Sequence, residues 1–534
     1  MKTMINSIIL ASCLALPLAS CSDSDAAPEQ KDWSTTTYFN SSDAAAQDTY
    51  YKPAVGYVGD PMPFFDPVAG DFKVLYLQDF RPNPEGTYHP IWGVSTKDAA
   101  HYTALGELVS CGTLKSQDAA IGTGSTIYDE ASKLYYTFYT GNKYKPTGDE
   151  SAQAVMVATS ADFKTWTKDR TFVIKGQDFG YDKNDFRDPF VFKGDDGKFH
   201  MLISTKKGGK GSLAEFVSDD LKNWTDNGVF MTMMWDRFYE CPDLFKMGDY
   251  WYLVYSELHH AVRRVQYFKG RTLDELKACT ANDAGIWPDA HEGFLDSRGL
   301  YAGKTASDGT NRYLWGWCPT RSGKDNTAVG ASPAEPEWAG NLVCYKLIQH
   351  EDGTLTLGQI DAVSEKYNQD VAVEVKESQN MTEADGTYTL ACSAEQPAYM
   401  LMGRLGSHNK ISFTVTTSNK WDKFGISMVR GSDSKKYYTM VVNPEDENNR
   451  KVNFEEQGVE GKGFIAGIDG YVFARPADNV YNITIYTDNS ICVMYINDVC
   501  SYTNRIYGIQ KNCWSIDSFN GANVKVSNLK ISQY

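Results

Sequence analysis

Between about Tyr51 and Ile360 the chain alternates short apolar, aromatic-rich runs with clusters of Asp, Gly and Asn, and helical periodicity is nearly absent. Lys133–Tyr139 (KLYYTFY) and Lys198–Ser204 (KFHMLIS) read as strands bounded by turn residues. A short motif recurs with the pattern. Ser160–Trp166 (SADFKTW) returns as Ser218–Trp224 (SDDLKNW), 58 residues later. A degenerate copy, Ser95–Asp98 with His101 and Tyr102, lies 65 residues before the first. A period near 60 residues with about four strands per unit predicts radial blades with elaborated loops, and residues 50–360 hold five of them. In such a ring the innermost strand of each blade faces one central funnel, so residues distant in sequence can meet there.

After Asp361 the texture changes. Ile411–Val415, Phe424–Val429, Tyr437–Val442, Tyr481–Tyr486 and Cys492–Ile496 are short strand-like runs with turn signals between them. This predicts an antiparallel β-sandwich over residues 372–534, joined to the propeller by a link over 361–371. The expected fold class is therefore all-β, a five-bladed β-propeller followed by a C-terminal β-sandwich.

The first residues read as an address. Met1–Thr3 is short and basic, and Ile8–Leu18 is an apolar run too short to span a bilayer. It ends at Leu18-Ala19-Ser20-Cys21, which resembles the lipobox of bacterial lipoproteins. This predicts a signal peptide over 1–20, a lipid on Cys21 and a polar, acidic tether over 21–49. The expected location is the cell envelope of a Gram-negative bacterium, at the outer membrane or cell surface, with the lipid as the sole membrane contact. The alternative is an ordinary secretory peptide that happens to end at Cys.

Composition narrows the function. A net charge of −16 argues against a nucleic-acid partner, which needs a basic face. The 33 Tyr and 12 Trp suit stacking on sugar rings and suit β-rich cores equally. Of 11 Cys, nine remain once Cys13 and Cys21 are set aside; none forms a C-x-x-C metal pattern, and no metal or cofactor is expected. Cys492 and Cys500 leave a disulfide open. Lys206–Ser212 (KKGGKGS) lacks phosphate-loop spacing and reads as a mobile hairpin.

The candidate chemistry lies in a recurring arrangement, an acid followed at once or after one residue by Pro and then by an aromatic-rich strand. It occurs at Asp60-Pro61, at Arg187-Asp188-Pro189 and at Glu240-Cys241-Pro242. Proline cannot donate to a ladder, so it is expected as the first residue of each strand, with the acid just ahead at the strand mouth.

These residues resemble glycoside hydrolase family 32, the β-fructosidases. Phe186-Arg187-Asp188-Pro189 matches the RDP motif, Glu240-Cys241-Pro242 the EC(P) motif, and Asp60-Pro61 the acid of the first motif. Leu77-Gln78, His89 with Trp92-Gly93, Thr123-Gly124-Ser125, Tyr301-Ala302, Gly316-Trp317 and Trp338–Leu342 follow in the family's order, over residues 50–360. The resemblance implies a retaining hydrolase acting on fructan or sucrose-type oligo- or polysaccharides. Asp60 would be the nucleophile, Glu240 the general acid/base and Asp188 the transition-state stabiliser. Arg187, Gln78, Trp92 and Thr123 would contact substrate, and Cys241 would tune the acid. Retention requires two carboxyl groups about 5–5.5 Å apart. The first motif departs from the family's WMNDPNG, since Tyr57–Pro63 reads YVGDPMP, and Gly122 replaces an aromatic. Two other readings compete: an inverting, arabinan-active propeller hydrolase, and a non-catalytic sugar-binding protein of the cell surface.

Overall fold

A computed structural model describes residues 49–534 apart from 81–82, 84, 234–237, 258–263, 280–292, 322–335, 394–395, 431–436, 445–451, 458–472, 474, 507 and 511. The expected signal peptide, Cys21 and all but the last residue of the tether lie outside the described residues. Within them, the recurring motif is a hairpin turn between the third and fourth strands of a blade. Asp162 Oδ1 accepts the backbone N–H groups of Lys164 and Thr165 at 2.9 and 2.8 Å. Asp220 does the same for Lys222 and Asn223, and Asp98 for Ala100 and His101. The residue after each Asp (Phe163, Leu221, Ala99) is left-handed, with φ of 58°, 62° and 59°. The degenerate copy is thus the same turn.

The blades run in chain order. The first comprises Tyr57–Asp66, Asp71–Asp79, Ile91–Thr96 and Thr103–Val109; the second Ala120–Asp129, Leu134–Asn142, Gln153–Ser160 and Thr167–Ile174. The third holds Phe186–Lys193, Phe199–Lys207, Lys210–Ser218 and Thr225–Thr232, and the fourth, among the described residues, Glu240–Met247, Tyr250–Glu257 and Arg264–Gly270. The fifth holds Tyr301–Ser307, Arg312–Arg321, Pro336–Gln349 and Leu355–Gly358. The five leading strands touch in a closed cycle, each packing on the next and the last on the first. The ring is sealed by Val58 pairing with Gly340 and by the Leu342 N–H donating to the Tyr51 carbonyl at 2.8 Å, so the first and fifth blades share one sheet. Lys206–Ser212 is a tight hairpin in which Lys207 pairs with Lys210 and both turn glycines have positive φ.

Every leading strand carries a register shift on its ladder, at Gly59/Met62, Gly122/Gly124, opposite Leu202/Ser204, at Glu240/Asp243 and at Tyr301/Lys304. This corrects the expected place of the prolines. Pro61, Pro189 and Pro242 lie inside strands that begin at Tyr57, Phe186 and Glu240, within the bulge, where no ladder N–H is required.

The sandwich packs a sheet of Met381–Ala384, Thr387–Ala391, Asn523–Gln533, His408–Thr417, Val480–Asp488, Ile491–Ile496 and Cys500–Arg505 on a six-stranded sheet around Cys513–Phe519. His408–Thr417 alternates half-buried and buried residues without a break, the period of a strand with one face in the core. The expected link over 361–371 is more ordered than a connector. Asp361–Lys366 is a helical turn, and Gln369–Val371 pairs with Asn523–Gln533. The nine described cysteines are free, including Cys492 and Cys500, which pair with Asn504 and Ile496 rather than with each other.

Ile491–Ile496 is buried at all six positions. Cys492, Met494 and Ile496 enter the sandwich core, whereas Ile491, Val493 and Tyr495 pack with Tyr345, Leu347, Leu355 and Leu357 of the fifth blade. Polar contacts reinforce the seam. The Arg505 guanidinium, 5% exposed, donates to the carbonyls of Pro319 and Cys318 at 3.1 and 2.9 Å and to Asn341 Oδ1 at 2.5 Å. Asp296 accepts from the Thr503 N–H, the Thr503 hydroxyl and the Ser501 hydroxyl. Arg505→Ala strands buried acceptors, each costing about 1–3 kcal/mol. A fall in the urea midpoint is the expected outcome, read by tryptophan fluorescence.

Candidate active site

The bulges set the site. Asp60, Asp188 and Cys241 have φ of 37°, 57° and 52°, a region non-glycine residues seldom occupy. The left-handed step turns the carboxylates of Asp60, Asp188 and Glu240 toward the ring axis. There they line one cavity of about 220 Å³ with Thr123, Arg187, Cys241, Tyr301, Trp338 and His89.

Each carboxylate has its own kind of partner. Asp60 is held by neutral donors: the Thr123 hydroxyl to Oδ2 at 2.5 Å and the Trp317 indole N–H to Oδ1 at 3.2 Å. Asp188, 4% exposed, accepts the Cys241 N–H at 2.9 Å, and its own N–H donates to the Thr140 hydroxyl. Burial, with help from Glu240 and Asp60, pushes its carboxyl up to about 6 despite Arg187. Glu240 is held on both oxygens, Oε1 by Arg187 Nη2 at 3.0 Å and Oε2 by the Tyr301 hydroxyl. Arg187 also donates to Asp185 at 2.6 Å and lies 3.9 Å from the ring centre of Phe238, which fixes the plane of its fork. The Cys241 thiol sits 3.9 Å from the Thr123 hydroxyl. Burial, with Asp60 and Asp188 nearby, pushes it well above its usual range, so it stays neutral.

Of the eight expected site residues in the propeller, six meet at the cavity: Asp60, Thr123, Arg187, Asp188, Glu240 and Cys241. Gln78 and Trp92 do not line it. Strand alternation puts Leu77 on the cavity and turns Gln78 away, where its amide donates to the Val55 carbonyl at 2.6 Å. Trp92 packs edge-on against Phe80. The wall residue near Trp92 is His89, left-handed at φ 62° and stacked on Trp338 at 4.0 Å. Burial pushes the His89 imidazole down to about 4, so it is neutral at neutral pH. His89, Tyr301 and Trp338 belong to quoted motifs, yet only the assembled ring shows them on this wall. Thr140 and Asn142 carried no sequence signal of their own, and Trp317 was marked only as part of Gly316-Trp317, with no role assigned.

The departures from the family pattern have structural counterparts. A Cβ on Gly59 would lie 2.3 Å from the Trp338 ring, so an aromatic wall occupies the space where an Asn side chain would begin. A Cβ on Gly122 would meet Thr140 and Asn142 at 3.0 and 3.2 Å, and Asn142 lines the cavity there.

Comparison with known proteins followed the same division. Residues 50–359 match the glycosyl hydrolases family 32 N-terminal domain, and residues 353–531 match the domain described as GH32, BT1760-like, C-terminal domain. The chain is 26% identical over 320 residues to the β-fructofuranosidase insoluble isoenzyme CWINV2 of Arabidopsis thaliana, covering 54% of this chain and 51% of that protein. It is 24% identical over 345 residues to a sucrose-6-phosphate hydrolase of Staphylococcus xylosus, covering 61% and 65%. The chain thus spans about half to two thirds of these curated relatives. The structure of sucrose-6-phosphate hydrolase from Lactobacillus gasseri superposes with a TM-score of 0.66 at 17% identity, covering 92% of this chain and 93% of that one.

The raised Asp188 makes a stability prediction. Its folded-state value lies above the unfolded one, so the folded chain binds this proton more tightly. Stability therefore falls as pH rises from about 4 to about 6, and the penalty persists above that. Asp188→Asn removes the buried charge. It should stabilise the protein by about 1–3 kcal/mol at pH 8 and give no gain at pH 3.5, measured by thermal unfolding across pH.

Proposed function

The chain belongs to glycoside hydrolase family 32, and we propose that it hydrolyses β-fructofuranosyl linkages of fructans or sucrose-type sugars with retention of configuration. The observation that carries this reading is the meeting of three carboxylates, from the first, third and fourth blades, on one cavity with three different sets of partners.

Asp60 is the nucleophile. Thr123 and Trp317 orient it without cancelling its charge, leaving an anion to attack the anomeric carbon. Glu240 is the acid/base. Arg187 occupies Oε1, so the transferable proton sits on Oε2 beside the Tyr301 hydroxyl. In the first step the Asp60–carbon bond forms, the glycosidic C–O bond breaks and the leaving oxygen takes the Glu240 proton. In the second, Glu240 removes a proton from water, the water oxygen bonds to the anomeric carbon and Asp60 departs. Asp188 accepts hydrogen bonds from ring hydroxyls, which strengthen as positive charge builds on the sugar. That role needs the ionised form, so activity declines as pH falls through about 6.

The lipobox at Leu18–Cys21 and the acidic stretch after it support a lipid anchor and a position at the outer cell surface, where polysaccharide is met before import. Cys21→Ser should move the protein from the membrane to the soluble fraction and abolish labelling by radioactive palmitate. Retention in the membrane with undiminished label would refute the anchor.

Asp60→Asn and Glu240→Gln should each lower kcat by at least about 10³-fold with substrate binding largely kept. The assay is a panel of sucrose, inulin, levan and arabinan, with the first-formed anomer read by NMR. Fructose released as the β-anomer supports double displacement. Arabinan cleavage with inversion would favour the arabinan-active reading, and binding without release of sugar would favour a sugar-binding protein.

A further inference from the structure

Lys304 lies on the leading strand of the fifth blade, just past its bulge, and is 2% exposed. Its Nζ donates to the Gly124 carbonyl at 2.8 Å and sits 5.5 Å from the ring centre of Phe190. Gly124 follows Thr123, whose hydroxyl holds Asp60. A lysine buried this deeply is kept charged only by anions around it. The charged and titratable groups facing this region come from four blades: Asp60 from the first, Arg187 and Asp188 from the third, Glu240, Cys241 and Asp243 from the fourth, and Tyr301 and Arg312 from the fifth. Asp243 is buried and fixed by the Thr305 N–H at 2.6 Å, while Arg312 donates to the Thr305 hydroxyl at 2.7 Å. Among the described residues, five carboxylates (Asp60, Asp185, Asp188, Glu240 and Asp243) thus face four cations, Arg187, Lys206, Lys304 and Arg312. One proton balances the set, the number an acid/base of a retaining glycosidase must carry.

We propose that Lys304 is a positioning residue for the reaction: a fixed ammonium on the propeller axis that ties the fifth blade to the Thr123–Gly124 backbone and offsets the carboxylates, so that Asp60 and Asp188 stay ionised while a single proton remains for transfer. The inference rests on the fructosidase reading. Burial pulls the ammonium below its usual range, and the carboxylates of Asp243, Asp188 and Asp60 work against that pull. A cation under these groups lowers the pH at which each gives up its proton, so its removal moves the pH–rate profile upward.

The test is kcat/KM against pH for wild type, Lys304→Gln and Lys304→Met on a cleaved fructan. Gln keeps a donor for the Gly124 carbonyl and loses the charge; Met loses both. Both should shift the acid limb up by about one unit, so that below the limb they lose about tenfold more activity than at the optimum. Gln should retain more of the optimal rate than Met. A lower rate with an unmoved limb in both variants would mean that Lys304 is only a structural strut, and would overturn the proposal. Wild-type NMR of ¹³Cε-lysine gives a readout that needs neither variant to fold: the buried lysine must remain an ammonium throughout the active pH range, and a neutral amine there overturns the proposal. Absence of turnover by the wild type on every fructan would instead remove the fructosidase reading, which keeps the two failures apart.

Discussion

The structure depends on one backbone constraint repeated around a ring. Each leading strand breaks its ladder at about the same height, and three of the five breaks contain a proline next to the acid or its neighbour. A regular strand would point successive side chains alternately to its two faces. The bulge instead places an extra residue in the strand and turns it toward the axis, with φ positive at Asp60, Asp188, Cys241 and Ala302. Such backbone costs of order 1–3 kcal/mol at each non-glycine residue. It persists because the neighbouring blades over-determine it through contacts such as Cys241 N–H to Asp188 and Thr123 to Asp60. The strain and the geometry of the carboxylate site are the same feature.

Charge is handled by the same contacts. Four acids crowd the axis, and bare repulsion in so dry a place would be prohibitive. Their partners are graded: neutral donors on Asp60, a backbone N–H on Asp188, a guanidinium and a phenol on Glu240. Carboxylates are thereby placed in different surroundings, in which they can take different roles. Arg187 is itself steadied by Asp185, which Lys206 approaches at 3.2 Å from the next strand of the same blade.

Much of this was legible in the sequence because it is written locally. The Ser/Thr-x-Asp turns use side chains to bond their own backbone within three residues, so three copies at near-regular spacing announced the blades. The acid–proline pairs marked where a ladder bond is missing, but they were read as strand starts, because a strand mouth and a bulge both spare proline a ladder N–H. The short strand-like runs from Ile411–Val415 to Cys492–Ile496, with turn signals between them, announced the sandwich. What was not legible is whatever depends on which way a side chain turns after assembly. Gln78 and Leu77 are neighbours on one strand, and only the register decides that Leu77 faces the cavity. Trp92 has the right chemistry for a sugar platform, yet the tertiary fold places it against Phe80 and gives the wall to His89 and Trp338. Thr140 and Trp317 reach their acids across blades, from 48 and 257 residues away in the chain.

None of the described sandwich residues lines the cavity, yet the sandwich packs against a blade that does. The fifth blade supplies Tyr301 to Glu240, Trp317 to Asp60, Trp338 to the wall and Lys304 to the axis. That blade also packs against the second domain. Its outer strands are buried against Ile491, Val493 and Tyr495, and Arg505 grips the carbonyls of Cys318 and Pro319 directly after Trp317. Asn341, three residues beyond Trp338, is held by the same guanidinium. Edge strands of a propeller are otherwise free to breathe, and breathing here would loosen the Trp317 and Tyr301 contacts on two of the three acids. The second domain thus braces the blade from which those partners project.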